Sequence, residues 1–330
     1  MRKFTFRVLM TLACLCPGTA FAADAADCRL KIVNTIPIEL SENGSRVLVS
    51  VAINGTKEPF LLDTGGALTQ ISATTAKALN LPIADSNMKM LDMYGQAAVG
   101  EARVDTFALG RLQDRKTSLP MMTTTFDGQP YVGILAADYM GEYDVELDFR
   151  GGKMNYFSRD HCEGKVVYWP TAAIAAVPVH LLDNHLALSV TLDGRPIKAM
   201  IDTGSPDTVL TTEAAKQAFD LTADSPGAKQ LDGAGNDRTF EYVFQKLSFE
   251  GLEVRNPHIV VAPDKIGSKD PNNAYVTGSR LHRVDDRDSG DPVMLIGMNI
   301  LSKLHLYIAF SENKIYITPA SAPAASTGPQ

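Results

Sequence analysis

The sequence predicts an all-β protein built from two homologous lobes with short helices. Two observations carry this prediction: two segments of the 330-residue chain align with each other without a gap, and in both segments apolar and polar residues alternate with the period of a β-strand. The composition agrees, because 45% hydrophobic and 21% charged residues are typical of a globular protein. The chain is also long enough for each lobe to bury a core.

The N-terminus predicts an exported protein. Basic residues at Arg2, Lys3 and Arg7 precede a short apolar stretch, which is followed by Ala20-Phe21-Ala22. This order is typical of a secretory signal peptide, so we expect residues 1–22 to be removed and the mature protein to be periplasmic or secreted. The apolar stretch is too short to span a bilayer, and no membrane span is expected after cleavage.

Two cysteines, Cys28 and Cys162, remain after the predicted cleavage. An even pair of cysteines in an oxidising compartment predicts a disulfide. The bond would join the two ends of the first lobe.

Each copy of the repeat begins with a hairpin. The first strands are followed by Asn54-Gly55 in one copy and by Asp193-Gly194 in the other, dipeptides that suit a tight turn because both central residues need a positive φ. The returning strand ends in both copies with two apolar residues and then Asp-Thr-Gly. The same tripeptide therefore occupies equivalent places in the two lobes.

The correspondence continues to the end of each lobe. Hydroxyl side chains at Ser72 and Thr211 are suitable N-caps for the helices that follow them. The predicted elements are helices at 73–79 and 212–219, late apolar runs at 134–138 and 295–299, and closing hairpins at 145–157 and 306–317. The resulting boundaries are a first lobe at 28–162, a linker at 163–176, a second lobe at 177–318 and a tail at 319–330, whose Ala, Ser, Pro and Gly content predicts disorder.

These motifs resemble a retropepsin-like aspartic protease in which two lobes are fused in one chain, as in the pepsin arrangement. Leu62-Asp63-Thr64-Gly65 and Ile201-Asp202-Thr203-Gly204 match the family's catalytic motif, and residues 295–299 match its second signature. The resemblance implies two β-barrel lobes in a pepsin-like bilobal arrangement, with Asp63 and Asp202 as the catalytic pair. It also implies a peptide or protein substrate and no metal or cofactor.

The chemistry of such a pair follows from its electrostatics. Two carboxyl groups a few ångströms apart cannot both be charged, so they share one proton and supply both a base and an acid. The resemblance gives supporting roles to the remaining loop residues, which are Thr64, Gly65, Thr203, Gly204 and Ser205. The Ser205 hydroxyl could bond the Asp202 carboxylate, which predicts that Asp202 ionises more readily than Asp63.

Two hairpins are predicted to close over the substrate as flaps. In the first lobe the resemblance assigns this role to Tyr94 and Gly95, and in the second to Gly233 and Gly235. Bound peptide would extend as a strand and form backbone hydrogen bonds with the flaps.

Two residues depart from the family pattern. Gly66 has no hydroxyl where the second lobe has Ser205, and Ala136 stands where the family has glycine. These departures favour a second hypothesis, a catalytically weak or inactive periplasmic module that binds peptides or proteins on the same fold. A polar insertion at residues 264–291 could shape specificity, or it could be a segment whose removal activates the enzyme.

Other function classes find no support. The sequence contains neither G-x-S-x-G nor H-E-x-x-H, and its histidines are scattered, so no metal site is predicted. A net charge of −7 argues against nucleic-acid binding. We expect a monomer.

Overall fold

The computed structural model describes residues 28–85, 90–91, 98–122, 126, 128–182, 184–233, 238–263, 275–276 and 292–320. The predicted signal peptide and residues 321–330 of the predicted tail lie outside these ranges. Strands account for most of the described chain and the helices are short, which confirms the predicted all-β class.

The first lobe contains eleven strands, one α-helix and one 3₁₀ helix. They are β1 (Ile32–Leu40), β2 (Val47–Ile53), β3 (Thr56–Asp63), β4 (Gln70–Ser72), α1 (Ala73–Ala78), β5 (Ile83–Ala84), β6 (Met90–Leu91), β7 (Ala98–Leu109), β8 (Leu112–Met122), β9 (Gly133–Ala136), the 3₁₀ helix (Ala137–Tyr139), β10 (Asp144–Asp148) and β11 (Lys153–Phe157), counted over the described residues.

The second lobe repeats this order. Within the described ranges it contains β12 (Ala175–Leu182), β13 (His185–Leu192), β14 (Arg195–Ile201), β15 (Val209–Thr211), α2 (Thr212–Phe219), β16 (Lys229–Asp232), β17 (Thr239–Val243), β18 (Lys246–Phe249), β19 (Leu252–Arg255), β20 (His258–Ala262), β21 (Tyr275–Val276), β22 (Met294–Ile296), α3 (Met298–Leu301), β23 (Leu304–Ala309) and β24 (Lys314–Pro319). Strand β12 starts inside the range predicted as a linker.

The duplication seen in the sequence is also present in the strand pairing. In the first lobe β3 runs parallel to β9, with Asp63 opposite Ala136, and β4 lies antiparallel on the other side of β9. In the second lobe β14 runs parallel to β22, with Ile201 opposite Ile296, and β15 lies antiparallel on its other side. Each lobe thus surrounds the end of its Asp-Thr-Gly strand with equivalent elements.

Local chemistry sets the turns and helix starts where the sequence predicts them. Asn54 and Asp193 both have positive φ, as do the glycines that follow them, so both hairpins turn as the dipeptides require. The Ser72 and Thr211 hydroxyls accept hydrogen bonds from the third residue after each of them and begin α1 and α2. These predictions are confirmed.

The two lobes share one six-stranded sheet. Its order is β1–β11–β10–β23–β24–β12, so β10 of the first lobe pairs directly with β23 of the second, with Val145 opposite Ile308. Buried aromatic rings cover this sheet, and those of Phe157 and Tyr307 lie 5.3 Å apart. The packing makes the lobes a single unit and fixes the two Asp-Thr-Gly loops relative to each other.

The Cys28–Cys162 disulfide is present, with the two Cα atoms 4.8 Å apart, and it links the ends of the first lobe as predicted. The insertion at 264–291 lies mostly outside the described residues. Its two described residues form β21, which pairs in parallel with β6 of the first lobe, just before the predicted flap. Among the described residues, no helix has the length and apolarity needed to cross a membrane.

Candidate active site

Asp63 and Asp202 meet where the two lobes join. Asp63 is the last residue of β3, and Asp202 directly follows β14, so each carboxyl stands at the end of a buried strand. Their side chains are hydrogen-bonded to each other and are only 9% and 2% exposed. The structure therefore brings together the two residues that the sequence assigns to catalysis.

The loops beneath the carboxyls are joined by Thr64 and Thr203. Each threonine hydroxyl accepts a hydrogen bond from the backbone N–H of the other, at 3.0 and 3.1 Å. Each hydroxyl also donates across the lobe boundary, Thr64 to the Ile201 carbonyl at 2.9 Å and Thr203 to the Leu62 carbonyl at 2.7 Å. Four buried hydrogen bonds thus hold the two carboxyls in register.

Glycine is required where the loops approach most closely. A Cβ atom on Gly204 would lie 2.4 Å from Asp63 Cγ, so no side chain fits at this position. Backbone N–H groups bind both carboxyls, from Gly65 to Asp63 Oδ1 at 2.9 Å and from Gly204 to Asp202 Oδ1 at 2.8 Å. The Gly-containing loops therefore supply both the space and the donors.

Asp63 keeps its proton more firmly than an ordinary aspartate. Burial and the neighbouring Asp202 carboxylate raise the pKa of Asp63 well above its usual value, against the opposing effect of the Gly65 and Gly66 N–H groups. A carboxyl that stays protonated can act as an acid at a pH where isolated carboxyls are ionised.

Ser205 contacts Asp202 differently from the sequence-based expectation. Its hydroxyl donates to the Asp207 carbonyl at 2.7 Å, and its backbone N–H, at 3.1 Å, binds Asp202 Oδ1. A hydroxyl has one hydrogen, so the side chain of Ser205 is not available as a donor to the carboxylate. The residue does support the loop, but it does so through its backbone.

The two departures from the family pattern contact each other. A Cβ atom on Gly66 would lie 3.2 Å from the Ala136 methyl and 3.0 Å from Asp63 Oδ2. In the second lobe the arrangement is reversed, because Ser205 carries a side chain and Gly297, the counterpart of Ala136, leaves no room for one. Each lobe therefore places a side chain at one of the two positions beside its carboxyl.

Each lobe contains a pair of supporting residues that was not predicted from the sequence. Asp138 accepts hydrogen bonds from the Thr69 N–H at 3.0 Å and the Thr69 hydroxyl at 2.7 Å. Asn299 accepts from the N–H and hydroxyl of Thr208 with its one oxygen, Oδ1, at 2.9 and 2.7 Å, whereas Asp138 uses both of its oxygens. Both threonines follow the aspartate of their Asp-Thr-Gly motif by the same spacing, and this coincidence is the signal that could have identified them.

The predicted flap residues lie mostly outside the described residues, which include Gly233 but not Tyr94, Gly95 or Gly235. Gly233 directly follows β16 with a positive φ and is exposed, at the start of the connection to β17. Among the described residues, no group of three or more His, Cys, Asp or Glu side chains could hold a metal ion.

Comparison with known proteins adds a family to this geometry. A family model described as aspartyl protease matches residues 49–139 and 188–300, and each segment contains one Asp-Thr-Gly. No curated protein matches the chain. Similar solved structures include an aspartic proteinase from Irpex lacteus, at 13% identity and a TM-score of 0.49, with 89% of this chain and 99% of that chain covered. Another is Basic 7S globulin from soybean, at 11% identity and a TM-score of 0.44, with 89% and 96% covered.

Proposed function

Because the chain belongs to the aspartyl protease family, we propose that it is an endopeptidase that hydrolyses peptide bonds with a water molecule activated by Asp63 and Asp202. The observation that carries the proposal is the contact between these two buried carboxyls, which come from different lobes. The substrate is a peptide or protein held in an extended conformation between the lobes.

The pair supplies the two proton transfers that the reaction needs. Asp202 accepts a proton from the water as its oxygen attacks the carbonyl carbon, while Asp63 donates its proton to the carbonyl oxygen. As this intermediate collapses, a hydroxyl group returns its proton to Asp63 while the carbonyl re-forms, the C–N bond breaks, and the leaving amine takes the proton held by Asp202. The raised pKa of Asp63 favours its role as the acid in the first step.

The packing around Gly66 supports catalysis over a binding module. The Ala136 methyl lies where a side chain at position 66 would come too close. Because Gly66 has no side chain, the methyl is accommodated without displacing the Asp63 carboxyl. Gly66 and Ala136 are therefore compatible with an active site at Asp63.

We further propose that the protein works outside the cytoplasm. The disulfide between Cys28 and Cys162 supports this location, because such bonds persist in oxidising compartments. The predicted signal peptide is tested directly by N-terminal sequencing of the protein recovered from its compartment.

Cleavage of unfolded casein from pH 3 to pH 7 tests the activity. Wild type is expected to cleave, with inhibition by pepstatin, and Asp63→Asn and Asp202→Asn are each expected to lose about a thousandfold or more, because the pair acts as a unit. Asp138→Asn is the matched control and should keep most of the activity, since Asn299 holds the corresponding threonine of the other lobe with a single oxygen.

Equal cleavage by wild type and both dyad variants would contradict the proposal. No cleavage by folded wild type at any pH, together with binding of the same substrate, would favour the binding module. A gel of the casein assay also shows whether the protein cleaves itself. Activity that appears only after cleavage within residues 264–291 of the protein identifies that segment as inhibitory.

A further inference from the structure

Arg46 brings a positive charge to the dyad from the first lobe. It directly precedes β2, and its backbone is fixed by two 3.0 Å hydrogen bonds with Ser41. Strand β2 pairs with β3 so that Leu48 faces Leu61, and continuing this register by two residues places Arg46 opposite Asp63. Residues opposite each other in an antiparallel pair project from the same face of the sheet.

The guanidinium crosses from the first lobe to the catalytic loop of the second. Arg46 Nη1 donates to the Gly204 carbonyl at 3.1 Å, and Gly204 in turn donates its N–H to Asp202. The guanidinium group therefore lies against the peptide segment that holds the Asp202 carboxyl. The backbone of Arg46, in the extended register, lies opposite Asp63.

This charge has no partner in the described part of the chain. No carboxylate of the described residues lies within 4.0 Å of the Arg46 guanidinium nitrogens, whose recorded hydrogen bonds go to the carbonyls of Ser45 and Gly204. The side chain is half-buried, so part of it can be reached from outside. Arginine is always charged and offers a planar set of donors that matches a carboxylate.

The equivalent position in the second lobe is different. His185 continues the β13–β14 register opposite Asp202, and it is only 5% exposed. Its Nδ1 donates to the Leu182 carbonyl at 2.9 Å, and its buried Nε2 has no hydrogen-bond partner among the described residues. The second lobe therefore places a buried imidazole where the first lobe places a half-buried guanidinium.

We propose that Arg46 is a specificity-determining residue that binds a carboxylate side chain of the peptide next to the bond being cleaved. The protein then prefers substrates with Asp or Glu on that side. This inference rests on the proposed function and adds a substrate class to it.

The test begins with the bonds that wild type cleaves in casein, mapped by mass spectrometry. For each of the three positions on either side of one such bond, two peptides are made that differ only in having Glu or Gln at that position. At one position we expect kcat/KM for the Glu peptide to exceed that for the Gln peptide about tenfold at pH 6, the effect of a charge-assisted hydrogen bond. The ratio should fall towards one at pH 3, because glutamate has a pKa of about 4.3.

Variants separate this role from a structural one. Arg46→Gln should bring the Glu-to-Gln ratio close to one, and Arg46→Lys should keep part of it. A residue that only supported the Gly204 loop would lower both rates equally and leave the ratio unchanged. His185→Gln is the matched control at the equivalent position and should keep the wild-type ratio.

Two results would overturn the inference: a wild-type enzyme with no preference for Glu at any position, or an Arg46→Gln variant that keeps the preference. If wild type cleaves no substrate, the proposed function fails separately, and casein-derived peptides that differ only in having Glu or Gln at one position are compared by binding to wild type and Arg46→Gln. Tighter binding of the Glu peptide that is lost in Arg46→Gln supports the inference, and equal binding overturns it.

Discussion

Beside the Asp63 carboxyl, a side chain at position 66 and the methyl group of Ala136 would compete for the same space. In the first lobe the side chain is on Ala136 and Gly66 has none, whereas in the second lobe Ser205 has one and Gly297 has none. A comparison with a family pattern treats Gly66 and Ala136 as two independent defects. The structure shows that they contact each other, so the consequences of changing one depend on the other.

Gly66→Ser is expected to lower kcat/KM on peptide substrates about tenfold or more. Its Cβ would lie 3.0 Å from Asp63 Oδ2 and 3.2 Å from the Ala136 methyl, so the carboxyl must move, and small displacements at a reacting centre are costly. Adding Ala136→Gly removes one of the two close contacts and recreates the arrangement of the second lobe.

The double variant should therefore recover most of the activity lost in Gly66→Ser. Circular dichroism checks that both variants fold. Equal losses in the single and double variants, or an unaffected single variant, would show that the two positions are not coupled.

At the level of structural elements, the two Asp-Thr-Gly loops hold the proposed catalytic pair together. Thr64 and Thr203 exchange hydrogen bonds between the lobes, and each hydroxyl acts as donor and acceptor at once. Since these groups are buried, loss of either hydroxyl would leave a backbone N–H and a backbone carbonyl without a hydrogen-bond partner. The loops thus contribute to stability as well as to the placement of the dyad.

Thr203→Val is expected to lower the free energy of unfolding by about 2–6 kcal/mol, because the Leu62 carbonyl and the Thr64 N–H would both lose a partner at about 1–3 kcal/mol each. Thr203→Ser keeps the hydroxyl and loses one methyl, so about 1 kcal/mol is expected. Unfolding in denaturant measures both variants, and kcat/KM should fall in the same order.

If Thr203→Val were no less stable than Thr203→Ser, the hydrogen bonds between the loops would not be responsible for joining them. A fall in kcat/KM for Ser as large as that for Val would point to packing of the methyl group instead.

Elements with local causes could be predicted from the sequence. Asn54-Gly55 and Asp193-Gly194 specify their turns, and Ser72 and Thr211 begin their helices, because the groups involved are a few residues apart. The acceptor of the Ser205 hydroxyl could not be predicted, since it depends on how the loop turns back towards Asp207.

At the scale of the whole molecule, buried ionisable groups join the lobes. Glu146 of β10 accepts hydrogen bonds from His305 of β23 at 2.8 Å, from Asn155 at 2.6 Å and from Tyr168 at 2.8 Å. Asp144 of the same strand accepts from the ring of His161 at 2.5 Å, and it also binds Ser311 of the second lobe. These contacts span up to 167 residues, so sequence patterns could not reveal them.

Their titration predicts a pH range of greatest stability. Burial would raise the pKa of Glu146, but the hydrogen bonds from His305, Asn155 and Tyr168 lower it below its usual value. This stabilisation is present above the unfolded-state pKa of about 4.3 and is lost as the pH falls through the lower folded-state value.

His161 acts in the opposite direction. Burial would lower its pKa, but the hydrogen bond with Asp144 raises it above its usual value. Its stabilisation is present below the unfolded-state pKa of about 6.5 and is lost as the pH rises through the higher folded-state value. Together the two groups favour the joined lobes between about pH 4.5 and 6.5.

Thermal unfolding from pH 3 to pH 8 tests this range. Glu146→Gln is expected to lower the free energy of unfolding by about 3 kcal/mol near pH 5.5, because it breaks a buried pair, and to flatten the acidic side of the profile. His161→Gln should flatten the alkaline side. Profiles of both variants that run parallel to that of wild type would contradict the assignment.

In the proposed function, one proton shared by Asp63 and Asp202 drives peptide hydrolysis. The most direct test is the pH dependence of kcat/KM for a single peptide, measured where wild type is shown to stay folded. We expect a bell-shaped profile whose two apparent pKa values belong to the pair. Its alkaline limb should lie above the usual range for carboxyl groups, because the pKa of Asp63 is raised. A rate that follows a single ionisation, or one that survives in Asp63→Asn, would contradict the account.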